Sequence, residues 1–293
     1  LYTLSAQNSN MAERRKWLKN LLSVIVAALG LYYISLNISI SETLNTVRTA
    51  DLTLLIASGL GLGIIYFTMG LRWQKLLEEK EISINAIQSF KQLVISDFVN
   101  SFLPARAGDI YRGYLASDEK NSTLDTSIIV VFERFLDVTA LALLTLIAVG
   151  TFFPGERLLI YPLAAGIGVI AVFTGLKLLK KFEEFPIASD LYVKIRRSIL
   201  QNFGTDRYLA FLGLTVVIWL MGVGRTLLIF ESLSINIALG LIALITFIWA
   251  ISAALPLTPA GIGTTDAIIF YIMQSYGFPS VVMVAFILLN CVI

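Results

Sequence analysis

Long apolar stretches set the pattern of this chain. A helix needs about 20 apolar residues to cross the hydrocarbon core of a bilayer. That ruler marks crossings near 18–36, 52–71, 126–152, 158–177, 208–230 and 237–256, with a seventh beginning near 279. Two further stretches, roughly 85–116 and 257–277, are moderately apolar but interrupted by proline and glycine, and neither fits a simple crossing. The pattern predicts an all-α integral membrane protein of about seven transmembrane helices plus two Pro/Gly-broken re-entrant segments.

Composition agrees. Of 293 residues, 57% are hydrophobic and 14% charged, more apolar surface than one soluble core can hide. No Gly/Ser-rich or low-complexity linker separates a second module, so 11–293 reads as a single transmembrane domain. Leu1–Asn10 are polar, precede Met11 and read as an expression remnant. The basic run Met11–Lys19 leads into an apolar span with no small-residue cleavage site, as an uncleaved first helix does. At the other end the chain stops at Ile293 within an apolar run, which fits either a truncated chain or a short last helix.

Lys and Arg in short loops mark the cytoplasmic side. Arg14, Arg15, Lys16 and Lys19 precede the first span, and Arg72, Lys75 and Lys80 follow the second; Lys177, Lys180, Lys181, Lys194, Arg196, Arg197 and Arg207 fill the linker after the fourth. A cytoplasmic N-terminus puts all of them on one side, against only Arg48 and Arg157 opposite. The 85–116 stretch must then enter and leave from one face, as a re-entrant hairpin. The expected location is the plasma membrane. Between Lys180 and Asp206, Leu191, Ile195, Ile199 and Leu200 recur near helical spacing, which leaves open an amphipathic surface helix or a solvated linker.

The charged residues exclude whole classes of chemistry. A net charge of +2 with no basic patch interleaved with aromatics gives no nucleic-acid signal. Histidine is absent and Cys291 is the single cysteine, which removes imidazole bases, His or Cys metal sites and internal disulfides. No P-loop or Gly-x-Ser-x-Gly pattern occurs, so no metal or cofactor is expected and an ATP-driven motor is disfavoured.

Three clusters remain. The first break holds Pro104, which lacks a backbone donor, and Gly108, which tolerates unusual torsions, so a helix entering from Asn85 should stop there. Arg106, Asp109 and Arg112 follow at spacings of three and six, and would gather near the break if the chain resumes as a helix. Guanidinium forks match phosphate oxygens, which makes these candidate head-group contacts; a structural Arg106–Asp109 ion pair is the alternative. The second cluster is Glu133, Arg134 and Asp137, with Glu133 on the order of 10 Å inside its span at 1.5 Å per residue. A charge at the bilayer centre costs roughly 2.5–3.5 kcal/mol, so three together imply a polar interior, either a site or a structural network. Arg134 and Asp137 can pair along the helix, while Glu133 and Asp137 share a face and would raise each other's proton affinity unless a cation intervenes.

The second break contains Pro256, Pro259, Gly261 and Gly263, after which Thr264, Thr265 and Asp266 can cap a new helix. Its free N–H groups would suit an anion. Leu-Pro followed by Ala-Gly occurs in both breaks, Leu103–Gly108 and Leu255–Gly261. An internal repeat of the kind transporters use and a chance match are both open. Arg225 lies late in its span, where it either snorkels to the outer interface or offers a further anion contact.

With these residues in view, the chain resembles the lysylphosphatidylglycerol synthase transmembrane family, also called flippase-like or UPF0104 proteins. Three ordered motifs carry the resemblance: Leu103-Pro104-Ala105-Arg106-Ala107-Gly108-Asp109 with Arg112; Glu133-Arg134 with Asp137; and Pro256, Pro259, Gly261, Gly263 and Asp266. The family often has Glu where Asp109 and Asp266 stand. The resemblance implies a flippase-like membrane module, which in the lysyl-lipid synthases precedes a soluble transferase domain absent from this sequence. It points to movement of a polar-headed lipid between leaflets: an aminoacylated phospholipid, a polyprenyl-phosphate sugar or another anionic lipid. The expected substrate-binding set is Arg106, Asp109, Arg112, Glu133, Arg134, Asp137, Arg225 and Asp266. Two rivals stand beside transport: a membrane enzyme using Glu133 and Asp137, and a non-catalytic subunit that presents lipid to a separate synthase. Partners are thus a membrane lipid, with a homo-oligomer or that synthase as further options, and no nucleic acid.

Overall fold

The computed structural model of the chain describes residue 32 and residues 39–103, 106–152, 205–254 and 263–292. Among these, every regular element is helical. The expected spans at 18–36 and 158–177, most of the linker that follows, and Pro104, Pro256, Pro259 and Gly261 lie outside the described residues.

Local chemistry sets the helix starts. Helix α1 (Ile40–Arg48) opens where the Ser39 hydroxyl accepts from the Glu42 N–H, and α2 (Leu52–Glu78) opens where Asp51 accepts from the Thr53 and Leu54 N–H groups. Helix α3 (Ala86–Phe102) carries a reciprocal cap, Asn85 to the Gln88 N–H and Gln88 back to the Asn85 N–H. It stops at Leu103, which is extended as a residue before proline must be. Helix α4 (Ala107–Ala116) then resumes after Arg106, whose φ of 53° is left-handed, a torsion held at some strain by a non-glycine residue.

Helix α5 (Thr123–Phe152), at 30 residues the longest described, carries Glu133, Arg134 and Asp137. Helices α6 (Thr205–Ser232), α7 (Leu239–Ala254), α8 (Thr264–Ser275) and α9 (Ser280–Val292) complete the described set. Helix α8 begins where the sequence placed it. Gly263 takes a positive φ of 79°, and the Asp266 carboxylate accepts its N–H at 3.0 Å.

The outside of α2 is apolar from Leu52 to Leu71. Leu52, Ile56, Leu60, Ile64, Phe67 and Leu71 are all exposed, recurring every three or four residues as one helical stripe. Ionic groups occupy the interior instead. Such inverted polarity suits lipid as the solvent. Two helices, Leu52–Glu78 and Asp206–Ser232, are long and apolar enough to cross a membrane, and Leu239–Ala250 and Ser280–Cys291 are shorter apolar helices.

Inside, two apolar clusters bracket a polar layer. One joins Trp73, Leu76 and Leu77 of α2 to Ile129, Phe132 and Leu136 of α5, with Tyr208 and Phe211 of α6 against them. The other joins Leu141 and Leu144 of α5 to the buried faces of α6 to α9, with Phe230 and Phe286 stacked at 4.4 Å between ring centres. The α5 segment between Phe132 and Leu141 holds the charged residues.

Helices α3 and α4 pack on each other, and α4 packs in turn on α5. Glycine makes this closeness available at two positions. A Cβ on Gly108 would sit 2.0 Å from the Ser96 carbonyl of α3, and one on Gly113 would sit 2.7 Å from the Ser127 hydroxyl of α5. The Asn121 side chain, in the loop after α4, donates to the Lys80 carbonyl in the loop before α3 at 3.4 Å. Entry to and exit from the α3–α4 pair are thereby neighbours.

Candidate functional site

The centre of the polar layer is Arg72 of α2, which is fully buried. Its Nε lies 3.3 Å from Glu133 Oε1, and its Nη1 donates to Asp137 Oδ1 and Thr215 Oγ1, each at 2.8 Å. This is the cation that the Glu133–Asp137 pair requires. The sequence reading missed it, because Arg72 stands at the end of an apolar run and looks like one more cytoplasmic loop charge. In the structure α2 continues through Glu78, and Arg72 faces the interior one turn before the exposed Lys75–Glu78 pair.

Arg112 approaches Glu133 from the other side, pairing through Nη2 with Oε2. Its guanidinium lies over the Trp73 ring, 4.3 Å from the ring centre, and no part of it is exposed. The Trp73 indole donates to Gln92 Oε1 at 2.8 Å, and Gln92 donates to the Leu115 carbonyl at 3.2 Å. Helices α2, α3, α4 and α5 are thus fastened around one glutamate.

A second group continues toward open space. Arg134 pairs with Asp109 at 3.1 Å and with Asp137 at 3.2 Å, and Arg106 lies 3.7 Å from Asp109. Asp109 also accepts from Ser96 and Asn100, and Asn100 in turn accepts the Gly108 N–H at 2.9 Å. The expected pairs Arg106–Asp109 and Arg134–Asp137 both form. Arg112, by contrast, lies away from Arg106 and is committed to Glu133.

Beside this second group lies a cavity of about 220 Å³. Tyr66, Asp97, Arg106, Arg134, Asp137 and Arg225 form its polar wall, while Ile65, Trp219, Trp249 and Phe286 contribute apolar surface. Tyr66 donates to Asp97 at 2.5 Å. Arg225 donates from Nη1 to Asn290 Oδ1 at 2.7 Å and from Nη2 to the Asn290 carbonyl at 3.3 Å, tying α6 to α9. In this geometry the Arg225 fork meets Asn290 at the edge of the cavity.

Tyr66, Asp97 and Asn290 were also missed. A carboxylate such as Asp97, inside the apolar 85–116 stretch, carries the same rarity signal that picked out Glu133. Asp266 stands apart, capping its own helix, and is not among the cavity-lining residues. Among the described residues no group of three His, Cys, Asp or Glu is arranged to hold a metal ion.

A chain whose described elements are all helices, with an apolar outer stripe, an ionic interior and a cavity walled by arginines, is a membrane protein built around a polar core. The chain belongs to the family described as the lysylphosphatidylglycerol synthase TM region, whose model matches residues 20–292. Three curated relatives are similar to it, all described as UPF0104 membrane proteins. One, from Methanothermobacter thermautotrophicus, is 22% identical over 287 residues, covering 86% of this chain and 85% of its own length. Two from Methanocaldococcus jannaschii are 26% identical over 189 residues (60% of this chain, 79% of the relative) and 24% identical over 256 residues (78% and 76%).

Proposed function

We propose that the protein carries an anionic, polar-headed lipid between the leaflets of the plasma membrane, with the head group in the 220 Å³ cavity and the acyl tails left in lipid. One observation carries this reading: Arg106, Arg134 and Arg225 line the same cavity in a protein whose outer surface is apolar. Guanidinium groups meet phosphate oxygens two at a time, and desolvated surroundings strengthen the attraction. Arg112, Glu133 and Asp266 hold the frame, and Arg106, Arg134 and Arg225 meet the ligand.

The N-terminus is cytoplasmic on this reading, and α3–α4 is a hairpin that enters and leaves from the cytoplasmic face. The Asn121–Lys80 hydrogen bond supports that arrangement by holding the two ends of the hairpin together. Transport without catalysis is favoured over an enzyme because Glu133 and Asp137, the carboxylates a metal would need, already share Arg72.

Vesicles reconstituted with the protein and with fluorescent phosphatidylglycerol, then treated with a membrane-impermeant quencher, test the proposal. Protein-dependent exposure of inner-leaflet lipid is expected, falling at least tenfold in a folded Arg106→Gln/Arg134→Gln protein. Unchanged movement in that variant removes the reading.

A further inference from the structure

Charge bookkeeping around the cavity narrows the ligand. The ionic network and the cavity wall together contain five arginines, Arg72, Arg106, Arg112, Arg134 and Arg225, and four carboxylates, Asp97, Asp109, Glu133 and Asp137. One positive charge is left over. Arg225 is the additional charge on the cavity wall, and both of its hydrogen bonds go to a neutral residue, Asn290. Its Nε is buried and has no hydrogen-bond partner among the described residues.

Among the described residues, Arg225 makes no ion pair within 4 Å. The apolar stretches 20–41, 158–176 and 251–265 contain no Asp or Glu. Asp266 on α8 is bonded to the Gly263 N–H and makes no ion pair within 4 Å among the described residues. A half-buried guanidinium whose Nε is sealed from solvent and without a counter-charge is costly, and a ligand that supplies one negative charge removes that cost.

A second negative charge would meet resistance. Asp97 and Asp137 stand in the same wall, so a phosphomonoester or diphosphate would face carboxylates after its first charge was matched. Size argues the same way. At about 220 Å³ the cavity is smaller than the roughly 300–1,000 Å³ of pockets for drug-sized ligands, which disfavours an oligosaccharide head.

We infer that the cavity is a receptor for a singly charged phosphodiester with a small head group, its phosphate held by Arg225 in place of, or beside, the Asn290 amide. This rests on the lipid-carrier reading and deepens it by naming the charge and size class of the head group.

The test is binding by the full chain in detergent, with short-chain NBD-labelled phosphatidylglycerol as probe. Unlabelled phosphatidylglycerol and phosphatidylethanolamine, both phosphodiesters, are expected to displace it at least tenfold better than phosphatidic acid or farnesyl diphosphate. Arg225→Gln is expected to weaken the probe at least tenfold, and Arg225→Lys to recover part of the loss. Asn290→Asp provides the decisive arm. It gives Arg225 a carboxylate partner within the protein, so it should keep or raise the Tm while weakening the probe at least tenfold, whereas an Arg225–Asn290 contact that only joins helices predicts unchanged binding. Equal or better displacement by the diphosphate, or full binding by folded Asn290→Asp, overturns the inference. Either result with lipid movement intact leaves the carrier reading standing. Binding as inferred but without movement in vesicles removes the carrier reading instead.

Discussion

Two halves of one charged layer are built from the same side chains and do different work. Around Glu133, Arg72 and Arg112 are fully buried and reach carboxylates, a threonine hydroxyl and a tryptophan face. Around Asp109, Arg106 and Arg134 each keep about a third of their side chain exposed and line a cavity. An arginine–carboxylate pair inside a membrane protein is therefore no sign of a binding site in itself. Solvent access to the guanidinium separates a strut from a contact, and Arg112 and Arg134, both candidates on sequence grounds, fall on opposite sides of that division.

The largest expected effect tests the sealed half. Arg72→Met leaves Glu133 and Asp137 facing each other without their shared cation, and breaking a buried pair in this way costs about 3–5 kcal/mol. Thermal unfolding in detergent should show it as severe destabilisation or failure to accumulate folded protein. A folded Arg72→Met with wild-type Tm would end the distinction between the halves.

Next comes the packing that holds the halves together. Gly108→Ala drives a methyl group to within 2.0 Å of the Ser96 carbonyl, a backbone atom that cannot swing aside, and overpacking of this kind costs about 1–3 kcal/mol. Gly113→Ala meets the Ser127 hydroxyl at 2.7 Å, a side chain able to rotate, so its Tm loss should be the smaller of the two.

The open half should respond in the opposite sense. Arg106→Gln removes a partly exposed ion pair, for which about 0–1 kcal/mol of stability is expected, while lipid movement falls severalfold. A Tm loss as large as that of Arg72→Met would place Arg106 with the struts. The smallest effect belongs to the cavity's neutral wall, where the Thr246 and Thr226 hydroxyls lie 2.9 Å apart. Thr246→Val should cost about 0.6 kcal/mol, typical of an interhelical hydrogen bond in a membrane.

Parts of this arrangement were legible in the sequence because local chemistry decides them. Asn85 starts α3, the residue before Pro104 ends it, Asp266 caps α8, and residues three apart on α4 and α5 form the pairs their spacing allows. What stayed hidden depends on which way a helix turns. Arg72 reads as a topogenic charge until α2 is seen to run past it with that face inward. Arg112 reads as a partner of Arg106 until Trp73 and Glu133 are seen to enclose it. Helix α1 carries its own start signal, with Ser39 and Glu42 at capping spacing and Ile40, Leu44 and Val47 at helical spacing.

The two glycine seams of α4 carry a mechanical consequence. A ten-residue helix wedged so closely against Ser96 on one flank and Ser127 on the other has no clearance to slide along either neighbour. Helices α3, α4 and α5 must travel as one block. A side chain larger than hydrogen at either seam would force that block apart.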